Sequence, residues 1–411
     1  MEPNIVILGG GVAGLIAARH CEQAGYSPTL LEAAEEVGGR VRTDYRDGYQ
    51  FDHGFQVLLT EYREAQHYLD FDQLDLRHFT TGALIVDERG SFTVADPLRE
   101  PSRLLPMVFS RVGSLRDKFL VWKLANELKQ TSREQAFTGY HQSTLAYLQE
   151  YGFSQRMIEQ FFIPFFGGIF LENQLTTPAG MFRFVFKMFS QGAAALPRNG
   201  IAAITQQLSG ALRKTTMQTG VRIRQIQGNT LTDTHGNTYP FDKLILTTDP
   251  APLMGNMPGQ EIEWQQTCNI YYSADVPLID APTIGLVSKP NSLINNFCVL
   301  TKVWPDYAPN GKHLVSVTLK NIPADSPELY QALGEELINL CQVPEAGLQF
   351  LHRYDIRQAL PVNPAQRYTM QASECSLTDD IYLAGDYLLN ASLDAAMRSG
   401  RLAVEAMLMS L

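Results

Sequence analysis

The chain has 411 residues, 45% of them hydrophobic, and a formal net charge of −10. That length allows two domains with a large core, the negative balance argues against a nucleic-acid partner, and no apolar run approaches the ~20 residues of a membrane-spanning helix. Five scattered cysteines (Cys21, Cys268, Cys298, Cys341, Cys375) with no CxxC pair, and eight histidines without ligand spacing, point to reduced thiols and no metal site.

Asn4-Ile5-Val6-Ile7-Leu8 is a run of β-formers with no polar break, as in a central parallel strand buried on both faces. Because it starts at residue 4, there is no room for a leader peptide, and the expected location is the cytoplasm. Gly9-Gly10-Gly11-Val12-Ala13-Gly14 follows at once. Gly9 permits a tight turn, Gly11 lets the backbone approach a pyrophosphate, and Gly14 lets the next helix pack on the strand. That helix is expected over 12–24, with Gly25 as its stop, and its positive amino end attracts phosphate. A second strand, Thr29-Leu30-Leu31-Glu32, ends in a carboxylate roughly 20 positions after the second glycine, where it would bind a ribose diol. Glycine-rich turns are common, and it is the strand–turn–helix–acid context that makes this one a dinucleotide fingerprint.

Gly38-Gly39-Arg40-Val41-Arg42-Thr43 then supplies a guanidinium that two glycines let fold back onto the same pyrophosphate, a feature a simple NAD site does not need. Here the chain resembles the FAD-dependent amine oxidase superfamily, closest in motif to phytoene desaturases and protoporphyrinogen oxidases. Glu32 followed by Gly38-Gly39-Arg40 is similar to its signature, and Asp52-His53-Gly54 to the segment beside the flavin ring. The resemblance implies an α/β fold, a Rossmann-like FAD-binding domain of the glutathione-reductase type with an interleaved α+β substrate domain. It also implies noncovalent FAD held by Gly9, Gly11, Val12, Ala13, Gly14, Glu32, Ala33, Gly39, Arg40, Gly54 and Phe55.

A hairpin is expected next, Ala83-Leu84-Ile85-Val86 and Ser91-Phe92-Thr93-Val94 around Asp87-Glu88-Arg89-Gly90. Residues 97–188 read as helices separated by Pro97, Pro101, Pro106, Pro164 and Pro178. Within them, 103–129 carries Arg103, Arg111, Arg116, Lys118, Lys123 and Lys129 against Asp117 and Glu127. It reads either as a helix with a solvated basic face or as a contact with a membrane surface. The stretch Phe161-Phe162-Ile163-Pro164-Phe165-Phe166-Gly167-Gly168-Ile169-Phe170-Leu171 reads either as a core cluster at a helix end or as the wall of an apolar cavity. It is similar to a substrate-domain segment of protoporphyrinogen oxidases and plant-type phytoene desaturases.

From Leu196 the pattern changes to a helix ending near 213, a strand Val221-Arg222-Ile223-Arg224-Gln225-Ile226, a turn at His235-Gly236-Asn237 and a buried strand over 242–248, and a helix, strand and hairpin followed by a buried strand suit extension of a parallel sheet. The resemblance makes this a return to the FAD domain, with Ile223 near the adenine. Residues 251–370 leave again as antiparallel strands covered by one helix over 327–341. The chain closes on Ile381-Tyr382-Leu383-Ala384-Gly385-Asp386 and a helix capped by Ser392. By resemblance, Gly385 and Asp386 meet the flavin side chain, and Ser392 and Leu393 face its pyrimidine end. The expected FAD domain is 1–75, 196–250 and 371–411, and the substrate domain 76–195 and 251–370.

These readings lead to a flavin enzyme that dehydrogenates, or isomerises by redox, a large apolar substrate such as a carotenoid, terpenoid or porphyrinogen. Only one dinucleotide fingerprint is present, so the electron acceptor is expected to be oxygen, a quinone or a protein. His53, Tyr387 and Asn390 are the ring-proximal candidates, as positioning residues, because no carboxylate pair or nucleophile triad is visible. Amine oxidases of the superfamily commonly place a lysine near flavin N5, on a strand matching about 267–272. No lysine lies between Lys243 and Lys289. Amine oxidation and a redox-silent FAD-stabilised protein stand as the alternatives.

Overall fold

A computed structural model describes residues 2–87, 90–94, 113–254, 261–289 and 291–411. The opening strand, Ile5–Leu8, is buried at every position and pairs in parallel with Thr29–Leu31 on one side and Lys243–Leu246 on the other. Thr216–Gln218 and Ile381–Leu383 complete a five-stranded parallel sheet at its two edges. Alternation along the strand gives each face its own cover. Ile5 and Ile7 pack under the helices Val12–Gln23 and Leu393–Leu408, while Val6 and Leu8 pack against Ile223, Leu231 and Phe241. The two helices meet closely because Gly400 has no side chain, and a Cβ there would lie 2.3 Å from the carbonyl oxygen of Ala13.

The strand expected over 221–226 does not extend this sheet. It is Ile223–Gln227, in a separate antiparallel sheet with Thr230–Asp233 and Thr238–Pro240, and Thr216–Gln218 takes the parallel edge instead. The reason is burial, because Val6 and Leu8 need an apolar cover that Ile223 and Leu231 provide. The preceding helix is also shorter than expected, Ala203–Gly210.

A second sheet of seven strands runs in the order Gln349–Pro361, Trp264–Ala274, His313–Leu319, Ile294–Val299, Ile284–Val287, Ala83–Asp87, Gly90–Val94. All its pairs are antiparallel except Ile284–Val287 with Ala83–Asp87. Helix Pro327–Cys341 buries Leu333 and Leu337 in the same cluster as Val315 and Val317. The parallel sheet draws its strands from 1–75, 196–250 and 371–411, the larger sheet from 76–195 and 251–370. A further small sheet, Leu58–Leu59, Ala194–Leu196 and Arg77–His78, ties segments from both groups together.

The helical part comprises Leu115–Gln130, Arg133–Phe137, Thr144–Tyr151, a run over 155–170 and Ala179–Gln191. Residues 95–112, with Pro97, Pro101, Pro106, Arg103 and Arg111, lie outside the described residues. Pro164 does not separate two helices. A π-helical turn, Ile158–Phe162, passes straight into helix Ile163–Phe170, with the Ile163 N–H donating to the Ile158 carbonyl. Proline in the first turn of that new helix lacks only a donor the turn can spare. Phe162, Phe166 and Phe170 point inward, with the Phe166 and Phe182 ring centroids 4.7 Å apart, so this face is core. Phe161, Phe165 and Ile169 form a second, half-buried apolar face. Among the described residues no helix is long and apolar enough to cross a membrane.

Candidate functional site

The glycine turn after the first strand is shaped by contacts no side chain could share. Gly9 has φ +109°, and a Cβ on Gly14 would lie 2.0 Å from the Gly9 carbonyl oxygen. Gly11 precedes helix Val12–Gln23 with no side chain capping its amino end and no acid in its first turn. The N–H groups and dipole of that end, where Val12, Ala13 and Gly14 lie, are therefore presented to an anion. Gly38 and Gly39 cross directly over the turn. Gly38 N–H donates to the Gly10 carbonyl at 2.9 Å, and a Cβ on Gly39 would meet Gly11 Cα at 3.2 Å.

Glu32 ends the second strand. Its Oε2 accepts from Gly10 N–H at 2.6 Å and its Oε1 from Ala34 N–H at 2.8 Å, beyond the half-buried Ala33. A carboxylate has about four lone-pair directions, so each oxygen keeps one for a diol hydroxyl. Ile223 opens its strand close by, where Val221 N–H donates to the Glu32 carbonyl at 2.9 Å.

Arg40 reaches from this glycine crossing to Asp386, at the far end of the sequence, and the two side chains form an ion pair with Asp386 nearly buried. The guanidinium also lies 5.2 Å from the Trp264 ring centre and donates to the Ala359 carbonyl at 3.2 Å. Asp386 follows Gly385, where a Cβ would collide with the Tyr387 ring at 2.3 Å.

Whether these residues suit a flavin dinucleotide is tested by the polar atoms left over around them. Thr248 Oγ1, Trp264 Nε1 and Tyr387 Oη are buried and without a hydrogen-bond partner. Thr248 lies against Gly9, Trp264 under Arg40 and Tyr387 against Gly385. Buried polar groups are seldom left unpaired. Three of them around an uncapped helix end, a carboxylate with spare lone pairs and an arginine fit a phosphate- and hydroxyl-rich cofactor.

The other site residues expected from sequence fall in two places. Gly54 turns back against the larger sheet, where a Cβ would lie 2.7 Å from Ile356 Cδ1. Phe55 packs edge-on to Phe79. His53, the neighbouring residue, is held two positions along the same face of the Ile356 strand, where Tyr354 lies. Its Nε2 lies 3.0 Å from Asp44 Oδ1, and its ring centre is 4.3 Å from that of Tyr354, which itself donates to Asp44 at 2.7 Å. Burial lowers the His53 pKa, with Asp44 opposing. Asn390 is fully buried with both ends engaged, its Nδ2 donating to the Arg367 carbonyl and its Oδ1 accepting from Ser392 Oγ at 2.6 Å. Its hydrogen bonds set the loop that delivers Ser392 and Leu393 to the last helix. Tyr387 keeps a free hydroxyl, which burial holds strongly protonated.

Sequence reasoning missed a buried ionic cluster beneath that helix end. Arg398 Nε donates to Glu64 at 2.9 Å, its Nη2 reaches Asp394 at 3.2 Å and Tyr368 Oη at 2.6 Å, and its Nη1 donates to the Tyr368 carbonyl at 2.6 Å. Asp394, in the helix's first turn, also accepts from Glu64 N–H at 2.8 Å. An Asp and an Arg spaced i,i+4 in an otherwise apolar stripe was the signal available.

The model of the family described as flavin-containing amine oxidoreductase matches residues 12–408 of this chain. Rice polyamine oxidase 5 (Oryza sativa subsp. japonica) is 44% identical over 56 residues, a match that spans 14% of this chain and 11% of that protein. A protoporphyrinogen oxidase-like protein from Exiguobacterium sp. 255-15 superposes over the whole of both chains with a TM-score of 0.72 at 19% identity. Putrescine oxidase bound to putrescine superposes over 100% of this chain and 99% of its own with a TM-score of 0.71 at 13% identity. These superpositions carry the fold, and the family match over nearly the full length carries the relationship: the chain belongs to the flavin-containing amine oxidoreductase family.

Proposed function

We propose that this family member is an oxidoreductase that holds FAD without a covalent bond and dehydrogenates, or isomerises by redox, a large apolar substrate. A carotenoid, terpenoid or porphyrinogen has the required character, and oxygen, a quinone or a protein would take the electrons. When bound, the flavin supplies the redox chemistry by accepting a hydride at N5. Gly9, Gly11 and Gly14 with the first helix end receive the pyrophosphate, Glu32 the ribose, and Arg40 and Asp386 the phosphates and flavin side chain.

The observation that carries the substrate class is the partner of Gly54. The larger sheet presents Ile356 to it, and Ile356 is paired in register with Thr267. Strand Trp264–Ala274, where amine oxidases of the resembled type would carry a lysine, has none. At this point the wall therefore offers the alkyl surface of Ile356 and lacks that lysine. Each CH₂ buried against such a wall stabilises binding by about 0.8 kcal/mol, which favours a large hydrocarbon. Mixing the oxidised enzyme anaerobically with polyamines, monoamines and amino acids should leave the flavin absorbance unchanged. Bleaching by any of them makes it an amine oxidase, and failure of every apolar candidate to reduce it leaves a redox-silent flavoprotein.

Acid precipitation should release all the yellow colour as FAD, and Arg40→Ala should weaken its retention. A hydrogen bond from a charged group contributes about 1.5 to 3 kcal/mol, so the dissociation constant should rise ten-fold or more in a folded variant. Colour retained in the pellet counts against noncovalent binding, and unchanged affinity counts against the role of Arg40.

A further inference from the structure

The outward side of helix Leu115–Gln130 carries Leu115, Phe119 and Trp122, which are 67%, 57% and 46% exposed. Spaced four and three apart, they line one side of the helix, and the Phe119 and Trp122 ring centroids lie 5.7 Å apart. The opposite side is committed to the core through Leu120, Leu124 and Leu128. The same periodicity continues the outward stripe to Asn126 and Lys129, at the lip of a cavity of about 820 Å³. Cations surround the stripe. Arg116 and Lys123 are exposed beside it, and the cavity adds exposed Arg63 to Lys129, with Arg133 paired to Glu61 at 3.8 Å, Glu134 as the other acid, and Lys187 buried against the Leu128 carbonyl. On the helix itself Asp117 is buried in the capping box, and Glu127 lies 3.6 Å from Lys123 while accepting from Tyr151.

From this juxtaposition we propose that the Leu115–Phe119–Trp122 stripe docks the protein on an anionic lipid bilayer. An apolar strip rimmed by lysine and arginine, on a chain whose net charge is −10, matches the interface between acyl chains and anionic headgroups. A second copy of the chain is the poorer occupant, because an isologous contact would set the same cations against each other. The inference does not depend on the proposed substrate, since docking and turnover are read separately.

The FAD-loaded protein should float with vesicles of equal parts phosphatidylglycerol and phosphatidylcholine at low ionic strength, be released by salt, and ignore pure phosphatidylcholine. Trp122 fluorescence should shift to the blue on the anionic vesicles, a shift that Trp122→Phe removes. Phe119→Ser with Trp122→Ser should abolish flotation. Lys123→Glu with Lys129→Glu should lower partitioning by about five-fold for each basic residue lost, or more. These side chains are exposed, so flavin content should stay unchanged and report that the variants are folded. Binding that is absent at low salt, equal on neutral vesicles or intact in the variants overturns the proposal. So does a dimer, seen by light scattering, that Phe119→Ser dissolves.

Discussion

Replacing Arg398 with alanine should cost about 3 to 5 kcal/mol of stability, the range for removing one partner of a buried ion pair. Arg398 is 3% exposed, and its guanidinium serves Glu64, Asp394 and the carbonyl and hydroxyl of Tyr368. Without it, two buried carboxylates lie together with Arg401, 3.5 Å from Glu64, and the more distant charge of Arg133 on Asp394 as the remaining cations. Burial already raises the Asp394 pKa against the pull of Arg398, so the aspartate would respond by taking up a proton. Proton uptake recovers part of the cost but loses the anion in the helix's first turn. Arg398→Lys keeps one charge and loses the fork, and it should fall between the two. Urea unfolding followed by circular dichroism measures the series. A loss below about 1 kcal/mol for Arg398→Ala would mean that water enters the cluster and solvates the carboxylates.

Asp52 should make the protein less stable as pH rises, opposite to the usual carboxylate. It joins the two sheet systems, with Oδ1 accepting from Thr43 Oγ1 at 2.6 Å and Ile201 N–H at 2.9 Å, Oδ2 accepting from Tyr307 at 3.2 Å, and its carbonyl accepting from Tyr271 at 2.7 Å. Complete burial outweighs those donors and raises its pKa from 3.8 to about 6. The folded state therefore binds more protons than the unfolded chain between these values. The favourable contribution is fully present below about 4 and is lost by the time pH passes about 6, and a shift of two units is worth about 3 kcal/mol. Asp44, Asp117 and Glu172 are held below their ordinary values, since hydrogen bonds outweigh burial there, and they give the opposite slope at lower pH. The difference between wild type and Asp52→Asn isolates the one group. Asparagine keeps an acceptor for Thr43 and Ile201 and turns its amide toward the Tyr307 oxygen, so the variant should gain on the wild type as pH climbs from 4 to 7. A constant difference across that window would show that the three donors keep the carboxylate ionised.

The parts of this protein legible in its sequence are those whose physics is local. An uninterrupted apolar strand, a glycine turn and a helix can be read from neighbouring residues, because strand burial, tight turning and helix starts depend on the few residues involved. The same holds for the helix Pro327–Cys341. Family resemblance extended this reading to the alternation of the chain between two sheets. Tertiary structure decided what depends on partners far away in sequence. Val221 to Ile226 has the pattern of any strand, and only the need to bury Val6 and Leu8 made it a cover instead of a sheet edge. Pro164 looked like a break until a π-turn removed the need for its donor. For His53 tertiary structure supplied the partners, Asp44 and Tyr354, which hold its ring two residues along the strand from the Ile356 that meets Gly54. The outward turn of Phe119 and Trp122 is of the same kind. Periodicity places them on one stripe, but which stripe of a helix faces the core is set by the neighbours that bury Leu120, Leu124 and Leu128.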